Sequence, residues 1–278
     1  MLNLGDKTVR LCLLDTNAVS EMVKGSDGML GHFLTWSLQP QPYVPCFSVF
    51  TVVELRRSPE VFEQFIETFR VLPCVLQKGY DHLLEEEVAA YPDPTRIDPC
   101  AVAFTPLGGP GNRLENLPAM LDTPELLERE RGWNEGRQEI VDGMVSLVPN
   151  YPPTGPRYSE QDVRTFFEIA GFSQIVLRQR DFAEMVVSRE EAVDMDAFPS
   201  LKASLYTAFH KFYVDKTRKP SSSDAFDILI AAGAPYVEAM VTEKHQAEVL
   251  RQVQRRDEFM QELQVFTLQD FRQPLDIL

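Results

Sequence analysis

The sequence predicts an α/β protein in which a central parallel sheet is flanked by helices. Three observations lead there. Short apolar runs of strand length occur at Val9–Leu14, Tyr43–Phe47, Val71–Leu76 and Ala239–Thr242. The first two end in polar residues and pass directly into helical patterns, the alternation expected of parallel strands. Finally, this alternation occupies the two ends of the chain, and a proline-rich, acidic stretch separates them.

Taken in order, Val9–Leu14 reads as a short buried strand that delivers Asp15-Thr16-Asn17 at its end, with a helix starting at Ala18. Tyr43–Phe47 is the second strand, followed by a helix over Ser48–Arg57. Pro59–Phe69 is an amphipathic helix with Val61, Phe62, Phe65, Ile66 and Phe69 on one side. Val71–Leu76 is the third strand candidate. From Tyr91 to Pro124 the chain reads as loop, with seven prolines and the Gly108-Gly109-Pro110-Gly111 turn cluster. Helical spacing returns over Glu125–Leu147, and Ser159 with Asp162 forms a capping pair for a helix through Ala170. Leu201–Tyr213 is another helix, and Ser221–Ser223 caps one over Asp224–Ala234. Ala239–Thr242 then forms a strand, Lys244–Gln264 a basic helix and Leu263–Leu268 a last strand. The expected organisation is a discontinuous α/β domain of residues 1–80 and 200–278 around an acidic, mostly helical insertion at 81–199.

Composition narrows the function classes. With 278 residues, 44% hydrophobic and 10% aromatic, the chain can bury a sizeable core. Its longest apolar runs fall well short of the roughly 20 residues of a membrane span. Only four apolar residues separate Arg10 from Asp15, too few for a secretory leader, so a cytoplasmic location is expected. Cys12, Cys46, Cys74 and Cys100 have no close pairing and read as buried reduced thiols. The net charge of −15 opposes phosphate binding overall, but it is unevenly spread. Residues 1–70 carry 6 basic and 8 acidic side chains, 71–200 carry 11 and 23, and 201–278 carry 10 and 11. The acidity is thus central, and the two ends are left able to gather local basic patches.

Four acids stand where an acid is awkward. Asp15 ends a buried strand, Glu54 lies in an apolar helix, Asp227 precedes Ile228-Leu229-Ile230-Ala231-Ala232, and Glu243 follows a strand. An isolated buried carboxylate is costly unless paired or metal-bound. Strand ends on one edge of a parallel sheet converge on a crevice, where a set of hard oxygen ligands suits Mg²⁺ or Mn²⁺. Each acid also has a structural explanation: Asp15 as a helix cap, Glu54 as a partner of Arg57, and Asp227 and Glu243 as surface residues. Asp224, three residues before Asp227, competes with it; the apolar run that begins after Asp227 favours the latter.

In these positions the sequence resembles the PIN-domain family. Leu13-Leu14-Asp15-Thr16-Asn17 is similar to the opening motif of those nucleases, Ser48 through Leu55 to the second, Asp227 through Ala232 to the third, and Ala239 through Glu243 to the fourth. The fourth departs from the commoner pattern in that Glu243 directly follows the threonine. The resemblance implies a PIN-like three-layer fold and hydrolysis of phosphodiester bonds by metal-activated water, most simply as an endoribonuclease on single-stranded RNA, with DNA as the alternative substrate. It implies that Asp15, Glu54 and Asp227 hold the principal Mg²⁺ or Mn²⁺, with Glu243 assisting, and that Asn17 and Ser48 or Thr51 orient the carboxylates. The rival is a non-catalytic PIN-like module that binds RNA or protein.

Nucleic-acid contacts are expected from Arg56 and Arg57, which follow Glu54, and from Lys211, Lys216, Arg218 and Lys219, which lie upstream of Asp227 beside Phe212 and Tyr213. Tyr213 is a candidate for stacking a base. The acidic insertion repels phosphate, so it either covers part of the groove or receives a basic partner protein. The sequence leaves a homo-oligomer open.

Overall fold

The computed structural model describes residues 2–4, 7–25, 29–37, 42–147, 150–182, 184, 193–214 and 219–272. The chain is α/β. Its strands are β1 (Leu2–Leu4), β2 (Lys7–Leu14), β3 (Tyr43–Ser48), β4 (Cys74–Gln77), β5 (Cys100–Phe104), β6 (Ala239–Thr242) and β7 (Gln264–Thr267). They form one sheet in the order β5-β4-β3-β2-β6-β7, with β1 added to β2. Pairings among β4, β3, β2, β6 and β7 are parallel, and β1 and β5 are antiparallel additions. Among the described residues no helix is long and apolar enough to cross a membrane.

Side-chain alternation along the central strands explains the layers. Val9, Leu11 and Leu13 of β2 enter one core with Val44, Cys46 and Val75, whereas Cys12 and Leu14 enter the other with Phe47, Cys74 and Val241. The second face is covered by helices Thr16–Val23, Met29–Ser37 and Pro59–Phe69, through Val19, Phe33, Trp36, Phe65 and Phe69. Helix Val49–Arg56 has buried residues on both sides: Phe50 and Val53 join the first core, Val52 and Leu55 the second. Cys12, Cys46 and Cys74 are buried, Cys100 is partly so, and all four are reduced thiols.

The middle segment differs from expectation in how it is built in. It is mostly helical, with helices Tyr80–Ala90, Pro124–Leu147 and Glu160–Arg178, and the last opens on the capping box of Ser159 and Asp162. Its residues join both cores of the sheet. Leu84, Val141, Val163, Phe166 and Phe198 belong to the same core as Leu11 and Leu13 of β2, and Leu114, Leu117 and Leu121 belong to the core on the opposite face. It also supplies β5, within the stretch read as loop, paired antiparallel to β4 at the sheet edge. A five-residue edge strand starting next to Pro99 keeps few of the signals that mark a central strand.

Smaller differences have local causes. The third strand is Cys74–Gln77, because Val71 is exposed and precedes Pro73. The basic helix ends at Asp257, where Glu258 and Met260 turn with positive φ and feed β7.

Candidate carboxylate site

From β2 the chain steps outwards to β3, β4 and β5 on one side, then returns to place β6 and β7 on the other. The carboxyl ends of β2 and β6 therefore flank a topological switch point, where open parallel sheets leave a crevice. A cleft of about 150 Å³ lies there, lined by Asp15, Thr16, Asn17, Glu54, Ser223, Asp227 and Glu243. The four acids come from the end of β2, helix Val49–Arg56, helix Ser223–Ala231 and the end of β6.

Asp15 is 5% exposed and caps helix Thr16–Val23, with Oδ1 accepting from the Ala18 amide at 2.6 Å. Its Oδ2 accepts from the Thr242 hydroxyl and from the Glu243 amide at 3.1 Å. The capping explanation is thus correct for Asp15, yet it does not exhaust the residue. Burial pushes its pKa up to about 7, Asp227 adds to the rise, and the bonds from Thr242, Ala18 and Glu243 oppose it. Glu54 is also raised, first by burial and further by Asp227; Thr16, donating to Oε2 at 2.6 Å, and Arg137, 3.6 Å from Oε1, hold it down. Asn17 donates to Glu243 Oε2 at 3.2 Å.

Asp227 and Asp224 now separate. Asp227 lines the cleft; Asp224 is buried and accepts from the Ser221 amide and hydroxyl at 2.7 and 3.1 Å. Both are bonded by Lys211 Nζ, at 2.6 Å to Asp227 and 3.0 Å to Asp224. Lys211 is correspondingly buried, an internal counter-ion and not the surface phosphate contact expected of it. Its neighbour Tyr213 stacks on Phe209 with ring centroids 4.8 Å apart and is fully buried, so it offers no face to a base.

Other assignments shift similarly. Arg56 is tied to Asp122 at 2.7 Å and to Glu130 at 3.0 Å, so it anchors the middle segment, while Arg57 is exposed and its charge reaches Glu54 and Arg137. Lys219 is exposed; Lys216 and Arg218 lie outside the described residues. Ser48 caps helix Val49–Arg56 by accepting from the Phe50 amide at 3.3 Å, and Thr51 donates to the Leu14 carbonyl at 3.3 Å. Thr51 thus holds the end of β2, from which Asp15 projects, and Ser48 the start of the helix that carries Glu54.

Sequence reasoning missed Thr16, Thr242 and Arg137. The two threonines stand inside the recognised motifs, where a hydroxyl's direction is invisible until the strands pair. Arg137 sits in a highly charged 24-residue helix and carries no local signal. It is 8% exposed, with its guanidinium 4.9 Å from the Phe226 ring centroid.

The donor set is all hard oxygen, its negative charge exceeds that of Lys211 and Arg137, and burial with mutual repulsion makes Asp15 a reluctant anion. In chemistry and charge this fits a divalent cation of the Mg²⁺ or Mn²⁺ type. As the side chains stand, no three Asp, Glu, His or Cys groups among the described residues are close enough to hold one, so binding calls for the carboxylates to draw together. No protein-family model, curated protein or solved structure matches the chain.

Proposed function

We propose that the protein is a PIN-like, divalent-metal-dependent endoribonuclease that hydrolyses phosphodiester bonds in single-stranded RNA. The observation that carries this reading is the convergence of Asp15, Glu54, Asp227 and Glu243 on one cleft, from positions up to 228 residues apart, at the switch point of a parallel sheet. Asp15, Glu54 and Asp227 would hold Mg²⁺ or Mn²⁺, with Glu243 beside them. When bound, such an ion lowers the pKa of its water and neutralises charge developing on phosphate oxygens.

The chain's own residues prepare that site. Thr242 and the Ala18 amide fix the Asp15 carboxylate. Thr16 and Arg137 bracket Glu54, Lys211 fixes Asp227 from behind, and Asn17 holds Glu243. Arg57, exposed next to Glu54, supplies a cation for the substrate phosphate.

The test is cleavage of labelled RNA and single-stranded DNA with Mg²⁺, Mn²⁺ or EDTA, by the parent and by Asp15→Asn and Asp227→Asn. The parent is expected to cut RNA only with metal, and both variants to fall to background. Equal cutting by the variants and the parent would end the nuclease reading. The spacing of the carboxylates favours a second reading, a non-catalytic binding module in which Asp227 and Glu54 are already partnered by Lys211 and Arg137. Mn²⁺ separates the two, since a metal site raises the melting temperature with ion concentration and a module that binds no metal does not.

A further inference from the structure

A second cavity, of about 210 Å³, lies on the same edge of the sheet, at the carboxyl ends of β3 and β4. Its walls include Phe50, Leu76, Val102, Leu121 and Trp133. Phe50 and Trp133 meet edge to face with ring centroids 5.1 Å apart, and Trp133 is only partly buried. Two helices connect this cavity to the carboxylate cleft. Helix Val49–Arg56 carries Phe50 at the cavity and Glu54 at the cleft; helix Pro124–Leu147 carries Trp133 at the cavity and Arg137 against Glu54. In each the separation is four residues, one turn and about 6 Å along the axis.

From this we infer that the cavity under Trp133 is a nucleobase subsite, which stacks the base of a nucleotide whose phosphate lies at the carboxylate cleft. Four features select this occupant. The volume is below the roughly 300 Å³ at which drug-sized sites begin, so it suits a single ring system. An almost wholly apolar lining with a partly buried indole offers a ring system to stack on without requiring a particular hydrogen-bond pattern. One helical turn is the reach of a sugar between a phosphate and its own base. Arg129, exposed at the mouth and 3.4 Å from His82, supplies a cation for the next phosphate along the strand. The choice of ligand rests on the nuclease reading; the cavity and its link to Glu54 do not.

The experiment is a titration of tryptophan fluorescence with adenosine and uridine 5′-monophosphates in Mg²⁺; these nucleotides contain no phosphodiester bond to be cleaved. The other tryptophan, Trp36, is in the core at 5% exposure and gives a constant background. The parent is expected to show saturable quenching, and Trp133→Phe to lose it. Val102→Phe, which fills the cavity while keeping Trp133, is expected to weaken binding roughly 5- to 150-fold, the range of one base stack. Circular dichroism identifies a variant that has failed to fold, and the Val102 and Trp133 variants serve as each other's check. Absence of quenching in the parent, quenching that survives both variants, or quenching by N-acetylphenylalanine amide in place of the nucleotides would overturn the inference. Because cleavage is assayed separately, saturable quenching without metal-dependent cutting would leave the subsite standing and remove the nuclease reading alone.

Discussion

Glu87 shows what a single buried carboxylate costs when no cleft asks for it. It is fully buried, and its Oε1 accepts from the Ser200 amide at 2.5 Å and the Tyr236 hydroxyl at 2.6 Å, while Oε2 has no hydrogen-bond partner among the described residues. Burial pushes its pKa up to about 7 from an ordinary 4.5, against the opposing bonds. The folded state therefore holds the proton more tightly than the unfolded chain. The stability this gives is complete below about pH 4.5 and is lost as pH rises through about 7. Glu87→Gln keeps the acceptor and replaces the protonated oxygen with a donor. It should flatten that pH dependence and stabilise the protein at pH 8.5 by on the order of 3 kcal/mol at most, with little effect at pH 5. Thermal melts of both proteins from pH 5 to 8.5 would show it; parallel curves would contradict the burial argument. At this scale the sequence was legible only where context was anomalous. Asp15, Glu54, Asp227 and Glu243 stood out as acids against apolar runs, and they share a cleft. Glu87, flanked by Glu85 and Glu86, looked like part of a solvated charged run. Lys211 was misread because a lysine between aromatic residues looks like a surface stacking patch, whereas its real partners lie 13 and 16 residues away.

Elements were legible in proportion to how regular they are. The central strands announced themselves by apolar runs ending in polar residues, whereas β5 was hidden among prolines and the end of helix Pro199–Phe209 concealed a change of winding. That helix passes into a π turn over His210–Val214, which sets His210 against Asp257 at 3.0 Å and Lys211 against Asp227 on the neighbouring helix. No residue pattern distinguishes such a turn from a continuing α-helix. A comparable hidden joint lies at the other end of helix Ser223–Ala231. Gln77, the last residue of β4, donates through Nε2 to the Gly233 carbonyl at 2.8 Å, and a Cβ at Gly233 would stand 2.0 Å from Gln77 Oε1. Gln77 is 1% exposed, so its amide has little room to turn away. Gly233→Ala should cost about 1–3 kcal/mol through this overpacking, and Gln77→Ala in the same chain should recover part of it, since the two residues are in contact. Denaturant melts of the two single variants and the double variant measure the coupling; strict additivity would mean that the glycine is there for another reason.

At the scale of the whole molecule, the middle segment is where sequence and structure diverge most. Its net charge of −13 marks it as foreign to a phosphate-binding site, and an acidic insertion is naturally read as removable. Charge totals ignore direction. Helix Pro124–Leu147 turns Leu126, Arg129 and Trp133 towards the second cavity and Arg137 towards Glu54, residues three or four apart that share one helical face. Arg56 completes the join by bonding Asp122 and Glu130. The segment thus lines the second cavity and supports Glu54 of the carboxylate cleft through Arg137. Deleting it should not spare the carboxylates, because Glu54 would keep only Thr16. The cleanest probe is Arg137→Met, which retains a long stem over Phe226 and removes the cation. Glu54 is then held at one oxygen only, beside Asp227, which already repels it. Cleavage should fall about 10- to 100-fold, the usual loss when a residue that orients a metal ligand is removed, and Mn²⁺ affinity should fall with it. Arg137→Lys should recover part of both by restoring the charge without the planar fork. A purely structural arginine would instead lower the metal-free melting temperature and leave Mn²⁺ affinity unchanged in the folded fraction. Titrating Mn²⁺ into the parent and both variants at a temperature where all are folded separates these outcomes. Unchanged affinity in Arg137→Met would return the middle segment to the role of a simple cover.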